Sequence, residues 1–541
     1  MLANLSATGS VAAQTNQKSA DQTEQTTGQT EQPANPTAQQ EDENSDLPTN
    51  AKWRYGETGK LKRINGYFRI KFSPDGKLLA ARNQQNLLSL IDAETQQTLF
   101  EFKVYEDRQW IQNIDFSPDS KFVLAATQGT NEKISVWNTA TGELYRELEI
   151  DGKAAFFRTE DEICVLQDKV VLVYSLQTGK QISSKEWGRT GDLPLTCSRD
   201  GLTVVFSRRS NGRNQFSVFV ADLKNKTSAS VWQSVAMPRR VALSEDGNWL
   251  ATTFMRSKDV RILDLREPAE SDTLLRVHKD NAESVCFSPD SRFLATTGWD
   301  SQVQIWDVLS GRRLDNLVGH SGHVTASGFS PNNFTIATGA NGRNDCSILV
   351  WDFRSLVFPE PGPDAPAEFD DVWKALGERG PEQPLQAVSV LINQPGLFED
   401  RIAEALGLTT FDNNSDMINK WIEQLSSPRY AVRSKAEKLL RNSRLRAEPQ
   451  LQAMLKRQDI ALEVRVRIAR IMHLPIERPK INDTNLRRLH RVIYAMELCG
   501  GEKAQKILQN LAESHEHIDV ARDAFNSLDR CKANQELETK E

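Results

Sequence analysis

The sequence predicts a multidomain chain: an all-β ring of seven small antiparallel sheets, then an all-α region, behind a disordered N-terminal tail. Three observations predict it. A Phe-Ser-Pro-Asp-Gly-like mark recurs seven times at spacings of 40 to 46 residues. Each copy is followed 17 to 24 residues later by a second mark, whose fullest form is Trp-Asp. Beyond a Pro-rich stretch the strand signals stop and helical periodicity begins.

The first mark reads FSPDG from Phe72, FSPDS from Phe116, FRTED from Phe157, CSRDG from Cys197, LSEDG from Leu243, FSPDS from Phe287 and FSPNN from Phe329. Ser-Pro-Asp-Gly suits a type I turn, with Pro presetting the second position and Gly closing it. The second mark falls at Ile91, Trp137, Tyr174, Ala221, Leu263, Trp306 and Trp351. Apolar alternation flanks both marks, as in LLAAR and VQIW, and reads as short strands. One such sheet buries neither face. Seven stacked around an axis bury both and leave only short edges, which makes the units blades of a propeller.

On these marks residues 52–357 resemble the WD-repeat family of β-propellers. The resemblance implies a hydrogen-bonded tetrad of His, Ser or Thr, Asp and Trp in each full repeat. Blade six supplies His278, Thr296, Asp300 and Trp306, and blade seven His320, Thr338, Asp345 and Trp351. Blade two keeps Trp137, while blades one, three, four and five lack the Trp. The segment from Trp53 to Ile64 reads as an outer strand without a blade of its own, and the family's ring-closing device implies that it completes blade seven.

The expected division is a disordered acidic tail at 1–50, the propeller at 51–357, a Pro-rich linker at 358–369, a helical domain at 370–533 and a disordered end at 534–541. The tail holds seven acids, one Lys and no aromatic residue, too little apolar surface to offset its chain entropy. It carries the whole formal charge of -6, because the remaining 66 basic and 66 acidic residues cancel. A neutral body gives no global nucleic-acid signature. In the helical domain, Val432, Arg433 and Ala436 match Val464, Arg465 and Ala469, and the helix pairs resemble HEAT-type repeats, with a compact bundle as the alternative.

Catalysis needs a nucleophile with its base, a paired acid and base, or a metal cage, and the chain shows no GxSxG, HExxH or P-loop. No enzyme, metal or cofactor is expected, and no small-molecule substrate. GHSGH at 319–323 places His320 at the tetrad position, and ESHEH at 513–517 sets His515 and His517 two apart, a poor helical ligand spacing. The six Cys are scattered, and free thiols are expected even for Cys499 and Cys531. No apolar run is long enough to span a membrane. The expected location is cytoplasmic, or exported if a signal peptide precedes this start.

Loops on a rigid scaffold are where recognition sits. The WD-repeat resemblance implies that the loops between blades and those between second and third strands lie on one rim, which in blades three to five carries Lys185, Arg189, Arg208, Arg209, Arg213, Arg239, Arg240, Arg256 and Lys258 against Glu186, Asp192 and Asp259. Trp110, Trp299 and His323 fall on the same rim. This reading predicts a non-enzymatic protein-interaction scaffold whose rim takes an acidic or phosphorylated partner, with the helical domain as a second surface. Two alternatives stand beside it: a propeller enzyme or ligand sensor using the axial channel, and polyanion or nucleic-acid binding through the basic helices 429–491. Nucleic acid is not the expected partner, because no aromatic residues interleave those cations.

Overall fold

The computed structural model describes residues 47–538 with the exception of 56–66, 84–86, 104–108, 130–131, 151, 153, 190, 210–214, 267–272, 343–344, 359–367, 379–381, 407–413, 443–446, 448–449, 452, 456, 458–459, 474–483 and 515–517. The tail as far as residue 46, most of the Pro-rich linker, Arg213 and the His515 and His517 pair therefore lie outside the described residues.

Seven four-stranded antiparallel sheets make up a seven-bladed propeller, and in six of them four consecutive strands pair in chain order. The first strands are Tyr67–Phe72, Gln109–Phe116, Ala154–Phe157, Leu193–Cys197, Pro238–Leu243, Ala282–Phe287 and His323–Phe329. Each ends on the opening residue of a first mark, so that mark is the turn from first to second strand. Its chemistry repeats with the sequence. Ser73, Ser117, Ser198, Ser244 and Ser288 donate to the Asp two residues on, and each Ser oxygen accepts the backbone N–H five residues on. Every second mark is the penultimate residue of a third strand, from Ile91 in Leu87–Asp92 to Trp351 in Ile348–Asp352.

First strands touch their neighbours at six of the seven blade junctions, and at the seventh the second strand of blade three meets the first of blade four, so the first strands wall the axis. Where blades one and two meet, Leu88, Leu90, Phe102, Ile114, Phe116 and Trp137 form one buried cluster, with Phe102 stacked on Trp137 at 4.8 Å. Blade seven is closed by the N-terminal strand Ala51–Tyr55, which pairs antiparallel with Ile348–Asp352, Trp53 opposite Val350. Of the segment read as an outer strand, the described residues Trp53, Arg54 and Tyr55 stand opposite Val350, Leu349 and Ile348, and residues 56–64 lie outside the described residues.

Helices follow: a single turn Arg354–Val357, then Phe369–Ala375, Glu382–Asn393, Pro395–Ala405, Asn414–Gln424, Tyr430–Asn442, Leu462–His473, Thr484–Cys499, Glu502–Ser514 and Ile518–Glu538. Helices from 414 to 473 gather around their own core of Ile418, Ile422, Leu440, Val464, Ile468 and Ile471. The repeated Arg has one job in both copies. Arg433 donates to the carbonyls of Ser427 and Pro428, and Arg465 to those of Leu455 and Arg457, so each ties the turn before its helix to that helix.

The helices Glu382–Asn393, Thr484–Cys499 and Ile518–Glu538 share one core with blades six and seven, in which Phe293 and Phe358 meet Tyr494 while Phe353 packs against Phe293 and Phe334. A polar seam runs beside it. Arg292, in the first turn of blade six, binds Glu497 at 2.7 Å, and Arg530 binds the same carboxylate at 2.6 Å.

Candidate protein-interaction rim

Topology assigns loops to faces. In an antiparallel blade the start of the first strand, the end of the second and the start of the third share one edge, while both marked turns lie on the other. The helices pack on the marked turns, through Arg292 and Phe293 in blade six and Phe334 in blade seven. Every described rim residue read from the sequence lies at the opposite edge.

In blades six and seven that edge is braced from within. His278 Nδ1 lies 2.9 Å from Asp300 and Nε2 3.2 Å from Thr296 Oγ1, which also accepts Trp306 Nε1 at 3.2 Å. In blade seven the corresponding contacts are shorter: His320 to Asp345 at 2.8 Å, His320 to Thr338 at 2.9 Å, and Trp351 Nε1 to Thr338 at 2.7 Å. Asp300 also accepts the N–H of Lys279, and Asp345 that of Ser321. Each tetrad thereby ties the loop before a first strand to the loop between the second and third strands. Burial pushes the Asp345 carboxyl up, but the hydrogen bond and charge of His320, with help from Ser347, overcome it and hold it at about 2. Asp300 is lowered in the same way against burial by His278 and the Lys279 N–H.

Three rim residues come together with one that the sequence did not single out. Trp299 lies flat against His323, with ring centroids 4.8 Å apart and planes 1° from parallel. Its Nε1 donates to Glu283 at 2.9 Å, and Glu283 also holds Arg239 at 2.6 Å. Glu283 thus ties blade five to blade six, and the stack of Trp299 on His323 carries the join to blade seven. Glu283 lay outside the rim count because it belongs to a first strand, Ala282–Phe287, where alternation alone does not reveal a partner two loops away.

Arg208 is also committed. It grips Asp192 with two parallel hydrogen bonds of 2.7 and 2.8 Å and covers the Phe219 ring at 4.5 Å. Asp192 also accepts the N–H of Arg189 at 3.0 Å. Arg209, Arg256 and Lys258 are exposed, as is Trp110 on blade two. Arg240 is half-buried rather than displayed. Beside Arg256 and Lys258 stand three exposed apolar side chains absent from the sequence reading, Val235 at 77%, Met237 at 37% and Met255 at 45% exposure. The Met255 N–H donates to the Met237 carbonyl at 2.9 Å, which sets the two loops side by side. A single-residue signal was available here, since Val235, Ala236 and Met237 form an apolar loop just before Pro238.

The basic helical segment presents engaged cations. Arg467 pairs with Glu437 and Glu463, while Arg488 and Arg491 donate to carbonyls of Trp373, Leu376 and Glu378. Among the described residues no three His, Cys, Asp or Glu side chains gather to hold a metal ion, and no helix is long and apolar enough to cross a membrane.

Comparison with known proteins adds to this geometry. The family model described as WD domain, G-beta repeat matches residues 270–307 and 311–352, the two blades with complete tetrads. Pre-mRNA-processing factor 19 homolog 2 of Arabidopsis thaliana is 29% identical over 194 residues, which are 34% of this chain and 33% of that protein. An uncharacterized WD repeat-containing protein of Synechocystis is 34% identical over 104 residues, 19% of this chain and 29% of its own. The WD repeat-containing protein 26 homolog of Arabidopsis thaliana is 23% identical over 295 residues, 52% of this chain and 48% of its own. The chain thus spans about a third of the first two relatives and about half of the third. It carries WD repeats, built into a seven-bladed β-propeller that is followed by an α-helical region.

Proposed function

We propose that this chain is a non-catalytic interaction scaffold that receives an acidic or phosphorylated protein segment on the rim of blades four to seven. The observation that carries the reading is the join of exposed Val235, Met237 and Met255 to exposed Arg256 and Lys258. Met, aromatic and Arg side chains are what interface cores enrich, and the stacked Trp299 and His323 extend the same surface across blades six and seven. The tetrads hold the blade six and seven loops in one arrangement, and backbone bonds from Met255 to Met237 and from His278 to Lys258 hold the blade five loops, so a partner orders few of them on binding. The helical region, stacked as HEAT-type repeats, supplies a second surface and with it avidity. All six cysteines are free, the state a reducing cytoplasm maintains, and we place the protein there.

The test is fluorescence anisotropy against an array of acidic peptides in phosphorylated and unmodified forms. The intact chain should prefer phosphorylated members. A Val235→Ser, Arg209→Glu, Lys258→Glu variant with unchanged melting temperature should bind them about tenfold more weakly or worse. Arg208 is left alone, because a Glu there would face Asp192. Equal binding by both proteins would remove the rim from the account.

A further inference from the structure

Where the helices settle on the marked turns of blades five and six they enclose a cavity of about 100 Å³, room for several waters or one small organic molecule. Its propeller side comes from Asp246 and Arg266 in blade five and from Asp290 and Asp307 in blade six. Its helical side comes from His490 and Tyr494 on Thr484–Cys499 and from Asp519 and Asp523 on Ile518–Glu538. Half-buried Arg522 and Asn526 keep the lining in contact with solvent.

Three polar atoms of these lining residues are buried and have no hydrogen-bond partner among the described residues: Tyr494 Oη, His490 Nε2 and Asp519 Oδ1. Tyr494 and Asp519 are each only 5% exposed. His490 and Tyr494 stand four residues apart, on one helix face and about 6 Å along the axis. Asp519 and Asp523 repeat that spacing on the second helix, and Asp523 binds His490 Nδ1 at 2.7 Å. That bond puts the imidazole proton on Nδ1 and leaves Nε2 an acceptor in the neutral ring. All three orphaned atoms can therefore accept a hydrogen bond. Each has lost its hydration without replacement, and an occupant rich in N–H donors removes that penalty.

The charge points the same way. Five Asp and five Arg line the cavity. Three of those Arg are already held from outside it, Arg266 by Asp264 with bonds of 2.8 and 2.7 Å, and Arg292 and Arg530 by Glu497. With Asp264 and Glu497 counted, carboxylates outnumber guanidiniums by seven to five. Burial pushes the Asp290 and Asp307 carboxyls up despite Arg292 and Arg491, so the guanidiniums present do not fully stabilize them. A metal ion is the poorer occupant, because among the described residues no three His, Cys, Asp or Glu side chains gather to ligate one.

We infer that the cavity between blades five and six and the helices Thr484–Cys499 and Ile518–Glu538 binds a short-chain organic diamine, whose ammonium N–H groups meet Asp519, His490 and Tyr494. Two positive charges match the surplus of two carboxylates, and a four-carbon chain bridges one helical turn. Both parts of the chain supply walls, so the occupant fastens the helices to the propeller. The site needs no protein partner and stands apart from the rim reading.

The experiment is titration calorimetry with putrescine (1,4-diaminobutane) on the full chain at fixed ionic strength, with 1,4-butanediol and succinate as parallel arms of the same chain length. One putrescine should bind per chain and raise the melting temperature, while the neutral and anionic arms stay silent. Asp519→Asn and Tyr494→Phe should each weaken binding about tenfold or more. The unliganded Tyr494→Phe protein should melt no lower than the intact chain, because the lost hydroxyl had no partner, a result that a merely structural tyrosine would not give. Absence of putrescine binding, equal binding by Asp519→Asn and Tyr494→Phe, or binding of butanediol or succinate as tight as that of putrescine would each overturn the inference.

Discussion

Arg292→Met is expected to lower the stability of the whole chain by about 3–5 kcal/mol, the cost of removing one partner from a buried ion network. Arg292 is the member of the propeller on which that network turns. Its Nη1 meets Glu497 at 2.7 Å, its Nη2 meets Asp523 at 3.6 Å and Ser527 at 3.2 Å, and its guanidinium lies 4.1 Å from the center of the Tyr494 ring. Only 14% of the side chain is exposed, against 8% for Glu497. Met fills most of the volume but returns no charge. Glu497 is left with Arg530, and Asp523 with His490. Because Tyr494 also packs edge-on against Phe293, the network and the shared apolar core fail together.

Guanidinium denaturation read by tryptophan fluorescence and by far-ultraviolet circular dichroism checks this. The two signals report the propeller and the helices, and they should coincide in the intact chain. Two separated transitions, or a loss below about 1 kcal/mol in Arg292→Met, would contradict the shared core. Acid provides a second reading. Burial pushes Asp523 up, yet Arg292 and His490 overcome it and hold it at about 2, and Glu497 is likewise lowered by Arg292 and Arg530. Depressed carboxyls contribute their stability above their ordinary range and lose it as pH falls through the folded value. The stability of the intact chain should therefore fall between about pH 4 and pH 2, and that slope should be shallower in Arg292→Met.

The seven blades were legible because their marks are local. A Ser-Pro-Asp turn closes through its own side chains within five residues, as Ser288, Asp290 and Phe293 show, so the sequence carries it whole. The tetrads were nearly as legible, since His278 and Trp306 belong to one repeat and meet on one Thr. The rim charges were not. Counting Arg239 as available treats the rim as balanced only by rim acids, whereas its partner Glu283 rises from the next blade's first strand. The docking of the helices was hidden for the same reason: Arg292 occupies an ordinary turn position, and only the folded chain brings Glu497 to it.

Trp351→Ala is expected to cost about 3–5 kcal/mol and to loosen the ring at its seam. Trp351 is fully buried, donates to Thr338 at 2.7 Å and stands edge-on to His320 with centroids 6.1 Å apart. On its other side lies the closing strand, with Ala51 as its direct partner. Packing is tight there: a Cβ on Gly319 would fall 2.1 Å from Pro48 and 2.9 Å from Trp351. Truncation thus leaves a cavity between the tetrad and the strand that joins the two ends of the propeller. Trp351→Phe keeps most of the volume and loses the hydrogen bond, and should cost about 1–2 kcal/mol. Trp306→Ala is the informative comparison, because Trp306 makes the same contact to Thr296 in a blade built from consecutive strands. Hydrogen exchange at the amides of Ala51–Tyr55 should accelerate in Trp351→Ala and stay near the intact rate in Trp306→Ala. Equal exchange in the two variants would mean that the closing strand is held by its backbone ladder alone, and that Trp351 stabilizes its blade without fastening the ring.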